Sequence, residues 1–195
     1  MRSWNDDPFT KKARRENYAA RSVYKLQEID QREKILAGSR LILDLGASPG
    51  SWTQLCLERA PKARVVAVDL APLRIEHPRL TFAQGNVEEI DILPLLGGEK
   101  ADVVLSDMAP KTSGIAAADT ARSLELAEMA LGIARLHLKQ DGAFVVKLFM
   151  GGEFEGFRRT LREAFEAVRL LRPETTRKHS REIFFIARNL RPASP

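Results

Sequence analysis

Short apolar runs bounded by turn signals alternate along this chain with longer segments whose apolar positions recur at helical spacing. That alternation is what βαβ units and a largely parallel sheet produce. The runs predict strands at Leu41–Leu45, Arg64–Asp69, Leu80–Gln84, Ala101–Asp107, Ala143–Leu148, Ala167–Arg172 and Glu182–Arg188. Helical spacing predicts helices at Ser51–Ala60, Ile90–Leu96, Ala118–Leu138 and Phe154–Phe165, with two more, Lys12–Ala19 and Ser22–Ile29, ahead of the first strand. Asp141-Gly142 is expected to turn the chain after the long helix, and Gly151-Gly152 to break it after the fifth strand. The fold class is therefore α/β, a mostly parallel seven-stranded sheet with helices on both faces. No repeat, low-complexity tract or Pro- or Gly-rich linker divides the chain, so residues 1–195 are expected to form a single domain, with a helical extension over 1–40 and a frayed tail over 189–195.

Composition narrows the class. A chain of 195 residues, 44% of them hydrophobic, can bury one α/β core but is short for two. No stretch approaches the roughly 20 consecutive apolar residues of a membrane helix, and the start lacks a signal peptide's apolar run, so a cytoplasmic protein without membrane contact is expected. The single cysteine, Cys56, excludes an intramolecular disulfide and a multi-cysteine zinc site, and no metal is expected. Its place in a helix suits a small buried hydrophobe.

Charge changes the picture more by its distribution than by the net +5. Residues 1–40 carry 10 Lys/Arg against 6 Asp/Glu, residues 169–195 carry 7 against 2, and the middle carries 14 against 18. If the basic ends converge, they form a cationic rim suited to phosphates. Ordinary solvated surface charge is the alternative.

In a doubly wound sheet, ligands bind beyond the carboxyl ends of the strands, where strand order reverses. The first strand runs into Asp44-Leu-Gly-Ala-Ser-Pro-Gly-Ser-Trp52, in which Gly46 and Gly50 allow close approach to the main chain. The spacing is neither the dinucleotide-binding G-x-G-x-x-G nor a phosphate loop, which disfavours NAD and ATP. Asp69 ends the second strand about 20 residues on, where a carboxylate can accept from both ribose hydroxyls of a nucleoside. Gly85-Asn86, after the third strand, is placed to meet an adenine edge. The alternative for the glycines is a tight βα connection.

Lys147 lies in the apolar strand Phe144-Val-Val-Lys-Leu-Phe149, and burying an ammonium there is costly unless it is paired. Burial favours the neutral amine, the form that a general base uses. Asp107 ends the neighbouring strand in Ser106-Asp-Met-Ala-Pro110, so an Asp–Lys pair at the sheet's carboxyl edge follows, either as catalytic groups or as a structural ion pair. Lys25 and Glu182 are individually unexceptional. Arg21 and Lys25 are four apart and expected on one helix face, while Glu182 opens the last strand beside Arg177, Lys178 and Arg181, a segment suited to a phosphodiester backbone.

Ala20-Arg-Ser-Val-Tyr-Lys-Leu-Gln-Glu-Ile29, Asp44-Leu-Gly-Ala-Ser-Pro-Gly-Ser-Trp52, Ser106-Asp-Met-Ala-Pro110, Phe144-Val-Val-Lys-Leu-Phe149 and Ser180-Arg-Glu182 together resemble the RrmJ/FtsJ family of RNA ribose 2′-O-methyltransferases over roughly residues 15–190. The resemblance implies a Rossmann-like class I methyltransferase fold and S-adenosyl-L-methionine as cofactor, with contacts at Gly50, Trp52, Asp69 and Asp107. It also implies a catalytic tetrad of Lys25, Asp107, Lys147 and Glu182. The bacterial enzymes that the chain is similar to act on the A loop of 23S rRNA in the large ribosomal subunit, which implies that RNA as partner, and nothing in the sequence demands more than a monomer. One departure stands out: Gln84-Gly85-Asn86 carries asparagine where those enzymes usually have aspartate, adding an NH₂ donor to the expected adenine contact.

The chemistry expected is an in-line displacement in which neutral Lys147 takes the proton of a ribose 2′-hydroxyl as its oxygen attacks the sulfonium methyl group. Asp107 would orient Lys147, and Lys25 and Glu182 would position the ribose or tune the lysine. Cys56 is poorly placed for a C5-cytosine mechanism, and Asp107-Met-Ala-Pro110 lacks the D/N-P-P-aromatic motif of amino-group methyltransferases. The alternatives are another RNA such as tRNA, a non-catalytic RNA-binding assembly factor, and a small-molecule O-methyltransferase, for which no insertion is long enough to form an obvious lid.

Overall fold

The computed structural model describes residues 7–176 and 180–192. The chain opens with helices α1 (Pro8–Arg15) and α2 (Val23–Glu33), then runs β1 (Leu41–Leu45), α3 (Ser51–Arg59), β2 (Arg64–Asp69), β3 (Leu80–Gln84), α4 (Ile92–Leu95) and β4 (Ala101–Ser106). It continues through α5 (Ala116–His137), β5 (Leu138–Phe149), α6 (Phe154–Ala164), β6 (Phe165–Leu171) and β7 (Glu182–Leu190). All seven strands join one sheet in the order β3-β2-β1-β4-β5-β7-β6. The five strands β1 to β5 pair in parallel, whereas β7 runs antiparallel to both β5 and β6. The order reverses between β1 and β4, and a crevice opens beyond their carboxyl ends.

Side-chain alternation along the central strands builds two apolar layers. Phe144, Val146 and Leu148 of β5 pack with residues of α5 and α6, while Ala143 and Val145 pack with α2 and α3. Lys147 shares the parity of Ala143 and Val145 and so faces α2 and α3. Its cross-strand partner Phe184 lies in that same layer. This parity decides which helices can supply partners to the lysine.

Element edges differ from the sequence expectation in specific ways. The first helix starts at Pro8 rather than Lys12, because Asp7 caps it by accepting from the Thr10 N–H at 3.1 Å and proline occupies the first turn. Ser22 sits at the N-cap of α2, which leaves Arg21 outside that helix rather than on a face shared with Lys25. Asp141-Gly142 does not turn the chain. Helix α5 passes directly into β5 at Leu138, and the β4–β5 register slips there, pairing Ala101 with Leu138 but Val103 with Ala143. Gly142 is needed at that irregularity, since a Cβ would lie 2.6 Å from Leu138 Cδ1 and 2.9 Å from the Asp102 carbonyl oxygen. Of the tail expected to fray over 189–195, residues 190 and 191 are held, since Leu190 pairs with Phe165 and the Arg191 N–H reaches the Ala164 carbonyl at 2.8 Å, and 193–195 lie outside the described residues.

Candidate functional site

A cavity of about 430 Å³ occupies the crevice, within the size range of small-molecule sites. Gly46 and Ser48 after β1, Asp69 at the end of β2 and Leu70 after it, Gly85 to Glu88 after β3 and Asp107 to Ala109 after β4 line it, with Leu126 and Met129 of α5 as one wall. Gly46 has φ +73°, and a Cβ there would lie 2.7 to 2.9 Å from Met108, so only glycine lets this turn pass beneath the β4 loop. Both oxygens of Asp69 accept main-chain bonds, from Ser48 N–H at 2.8 Å and Ala71 N–H at 2.7 Å. A carboxylate has further lone pairs, so it can still accept from a ligand.

The lining fits a nucleoside that bears positive charge. Among the described residues it includes three carboxylates, Asp69, Glu88 and Asp107, and no lysine or arginine, beside apolar walls from Val68, Val87, Met108 and Met129. A pyrophosphate would meet like charge there, whereas a sulfonium and an ammonium would meet opposite charge.

Asp44, at the end of β1, adds a fourth carboxyl nearby, wholly buried. Its Oδ2 accepts from the Thr53 hydroxyl at 2.6 Å and its Oδ1 has no hydrogen-bond partner. Burial pushes this carboxyl up to about 7; the Thr53 bond opposes the shift and the Asp107 and Asp69 charges add to it. A carboxyl with a raised folded-state pKa contributes stability that is fully present below the unfolded value of about 4 and is lost as pH rises through about 7. Asp44→Asn, neutral throughout, should not lose it. Its stability relative to the native chain is therefore expected to rise between about pH 4 and pH 8, by on the order of a few kcal/mol. Urea midpoints measured across that range check this, and parallel curves would refute it.

The four expected catalytic groups form two pairs. Lys147 is 4% exposed, and its Nζ donates to the Asp107 carbonyl oxygen and lies 2.9 Å from Asp107 Oδ1. The latter approach is a charge contact rather than an aligned hydrogen bond. Lys25 Nζ donates to Glu182 Oε2 at 2.6 Å and sits 5.8 Å from the centroid of the Phe184 ring. Because Phe184 is registered against Lys147, and Glu182 against Phe149, both pairs stand on the α2 side of the sheet at the carboxyl end of β5.

The cofactor residues divide. Gly46, Asp69, Asn86 and Asp107 line the cavity, whereas Gly50 and Trp52 do not. Trp52 is buried, donating its Nε1–H to the Ser22 carbonyl at 2.9 Å and packing on Phe184 with centroids 5.7 Å apart. It braces α2, and with it Lys25, against the sheet. Gly50, at φ +114°, opens α3 with its missing side chain facing Ile75. The Asn86 side chain is partly used locally, its carbonyl accepting from Glu88 N–H at 3.2 Å. Sequence reasoning missed Leu126 and Met129, which carry no motif. It could have singled out Asp44, a carboxylate in the apolar run Leu-Ile-Leu-Asp-Leu, by the argument applied to Lys147.

The basic ends do converge. Arg21 forms an ion pair with Asp7 and donates to the Thr175 carbonyl at 2.6 Å, and Glu28 accepts from the Glu174 N–H at 2.8 Å. The N-terminal helices are thereby tied to the β6–β7 connection. Arg177 and Lys178, expected to contact phosphates, lie outside the described residues.

Comparison with known proteins bears on the family and the fold. Residues 18–190 match the FtsJ-like methyltransferase family. A ribosomal RNA large subunit methyltransferase E from Bdellovibrio bacteriovorus is 44% identical over 185 residues, covering 92% of this chain and 94% of its own. The protein of the same description from Azoarcus sp. is 42% identical, covering 95% and 93%. A crystal structure assigned as a ribosomal RNA methyltransferase from Plasmodium falciparum superposes with TM-score 0.79 at 26% identity, covering 89% of this chain and 98% of that one. A fibrillarin pre-rRNA processing protein from Methanococcus jannaschii, at TM-score 0.60 and 20% identity, shares the fold.

Proposed function

The chain belongs to the FtsJ-like methyltransferase family, and from that membership we propose that it methylates a ribose 2′-hydroxyl of 23S rRNA, in the A loop of the large ribosomal subunit. The observation that carries the reaction type is a nearly fully buried lysine, paired with the carboxylate that also lines the cavity. The 23S address is supported by the names of the relatives.

The cavity residues suit S-adenosylmethionine, which when bound supplies an electrophilic methyl group on a sulfonium. Asp69 would accept from its ribose hydroxyls, and Asn86 would meet the adenine edge. Asp107 reaches both compartments, since it lines the cavity and also pairs with Lys147. Lys147 would take the proton of the substrate 2′-hydroxyl. The Lys25–Glu182 pair would hold the ribose so that this hydroxyl meets the amine in one orientation. Positioning of this kind supplies much of the barrier reduction, with proton removal contributing roughly 10²–10⁴-fold.

The test is transfer of labelled methyl from S-adenosylmethionine to total RNA and to isolated ribosomal subunits, followed by nuclease mapping. Label is expected on one ribose of 23S rRNA. Label on a base, on protein or nowhere would overturn the proposal.

A further inference from the structure

An RNA chain continues on both sides of the ribose presented to Lys147, so the surface beside the tetrad is relevant to how it is held. Three segments meet there: the first turns of α5, the β5–α6 turn and the residue before Glu182. The Arg181 carbonyl accepts the Met150 N–H at 2.9 Å. Its Nη1 donates to the Ala116 carbonyl at 3.1 Å and the Thr120 hydroxyl at 3.2 Å. A cleft of about 270 Å³ lies among them, lined by Ala116, Thr120, Gly151, Glu153 and Arg181. The turn can approach α5 this closely only because Gly151 has no side chain, since a Cβ would lie 2.3 Å from Thr120 Cγ2.

Two large apolar side chains flank this cleft in water, Ile115 at 64% exposure and Met150 at 44%. Singly, such residues need no explanation. Here Met150 follows Lys147 by three residues, and Arg181, with an exposed guanidinium, directly precedes Glu182. Among the described residues Arg181 spends only Nη1 on hydrogen bonds, and a guanidinium has five N–H donors, so its other edge can fork onto a phosphate. An unstacked base needs an apolar surface to lie on, and Glu153 can accept from a base amino group or a ribose hydroxyl.

We infer that this cleft is a subsite for the nucleotide adjoining the methylated one, with Arg181 on its phosphate and Met150 and Ile115 against its base. The inference rests on the RNA reading above. Its test compares the native protein with Arg181→Ala for binding to isolated, unmethylated large ribosomal subunits at salt concentrations between about 50 and 200 mM. Removing one phosphate contact is expected to weaken binding about tenfold and to lessen the slope of log K against log salt by about 0.7 to 0.9. KM for the subunit should rise, while turnover at saturation and affinity for S-adenosylmethionine stay within about twofold. Arg181→Lys keeps the charge and should keep the slope.

Identical slopes and affinities for the native and Arg181→Ala proteins would overturn the subsite. So would a loss of turnover at an unchanged slope, which would make Arg181 a support for Glu182. Failure of the native protein to methylate would instead count against the proposed reaction. The binding comparison needs no turnover and decides the subsite separately.

Discussion

Replacing Lys147 with alanine is expected to lower turnover by roughly 10²–10⁴-fold, the contribution of a positioned proton acceptor, while S-adenosylmethionine still binds. The two effects separate because Lys147 does not line the cavity and faces α2 and α3 from the far side of Asp107. Removing the amine leaves the carboxylates of the cavity lining, Asp69, Glu88 and Asp107, in place. The cavity then becomes no less attractive to a cationic ligand. Lys147→Met retains most of the volume and guards against a packing artefact. Calorimetric titration with S-adenosylmethionine and single-turnover methylation of large subunits measure the two halves. Near-native turnover in both variants would remove Lys147 from the reaction.

Asp69→Ala should have the opposite signature, losing cofactor affinity first. The carboxylate fastens the β1–α3 turn through Ser48 N–H and begins the loop after β2 through Ala71 N–H. With two ribose hydroxyls added, it would be the acceptor for four donors. Hydrogen bonds to a charged group contribute about 1.5–3 kcal/mol each, so losing the ribose pair predicts a weakening of about 10²–10⁴-fold. Turnover at saturating cofactor should fall less than affinity. Asp69→Asn keeps one oxygen acceptor and should lie between the two. Affinity within about threefold of native in Asp69→Ala would show that the ribose lies elsewhere in the crevice.

Much of this site was readable before any coordinates. Lys147 and Asp69 each put a charge at the end of an apolar strand, and strand ends are where a doubly wound sheet presents ligands. Asp107 follows by adjacency. Trp52 stands out by its motif position, and the structure places its indole on the Ser22 carbonyl and the Phe184 ring, outside the cavity lining. Arg21 misled because helical spacing was extended one residue past the N-cap at Ser22. The turn expected at Asp141-Gly142 failed because glycine also serves where a strand slips register against a close neighbour.

The alternation of apolar runs and helical stretches thus determined by itself the α/β class, the strand positions and the charged residues stranded in apolar surroundings. These are local properties, written in periodicity and in the cost of burying charge. Apart from the Asp107–Lys147 pair, only the tertiary structure decided the partners. It reversed β7, set Phe184 opposite Lys147, joined Lys25 to Glu182 across 157 positions of chain, and brought Leu126 and Met129 to the cavity wall. Those contacts depend on which strand lies beside which and on which face each helix covers, and residue spacing along one chain carries no information about either.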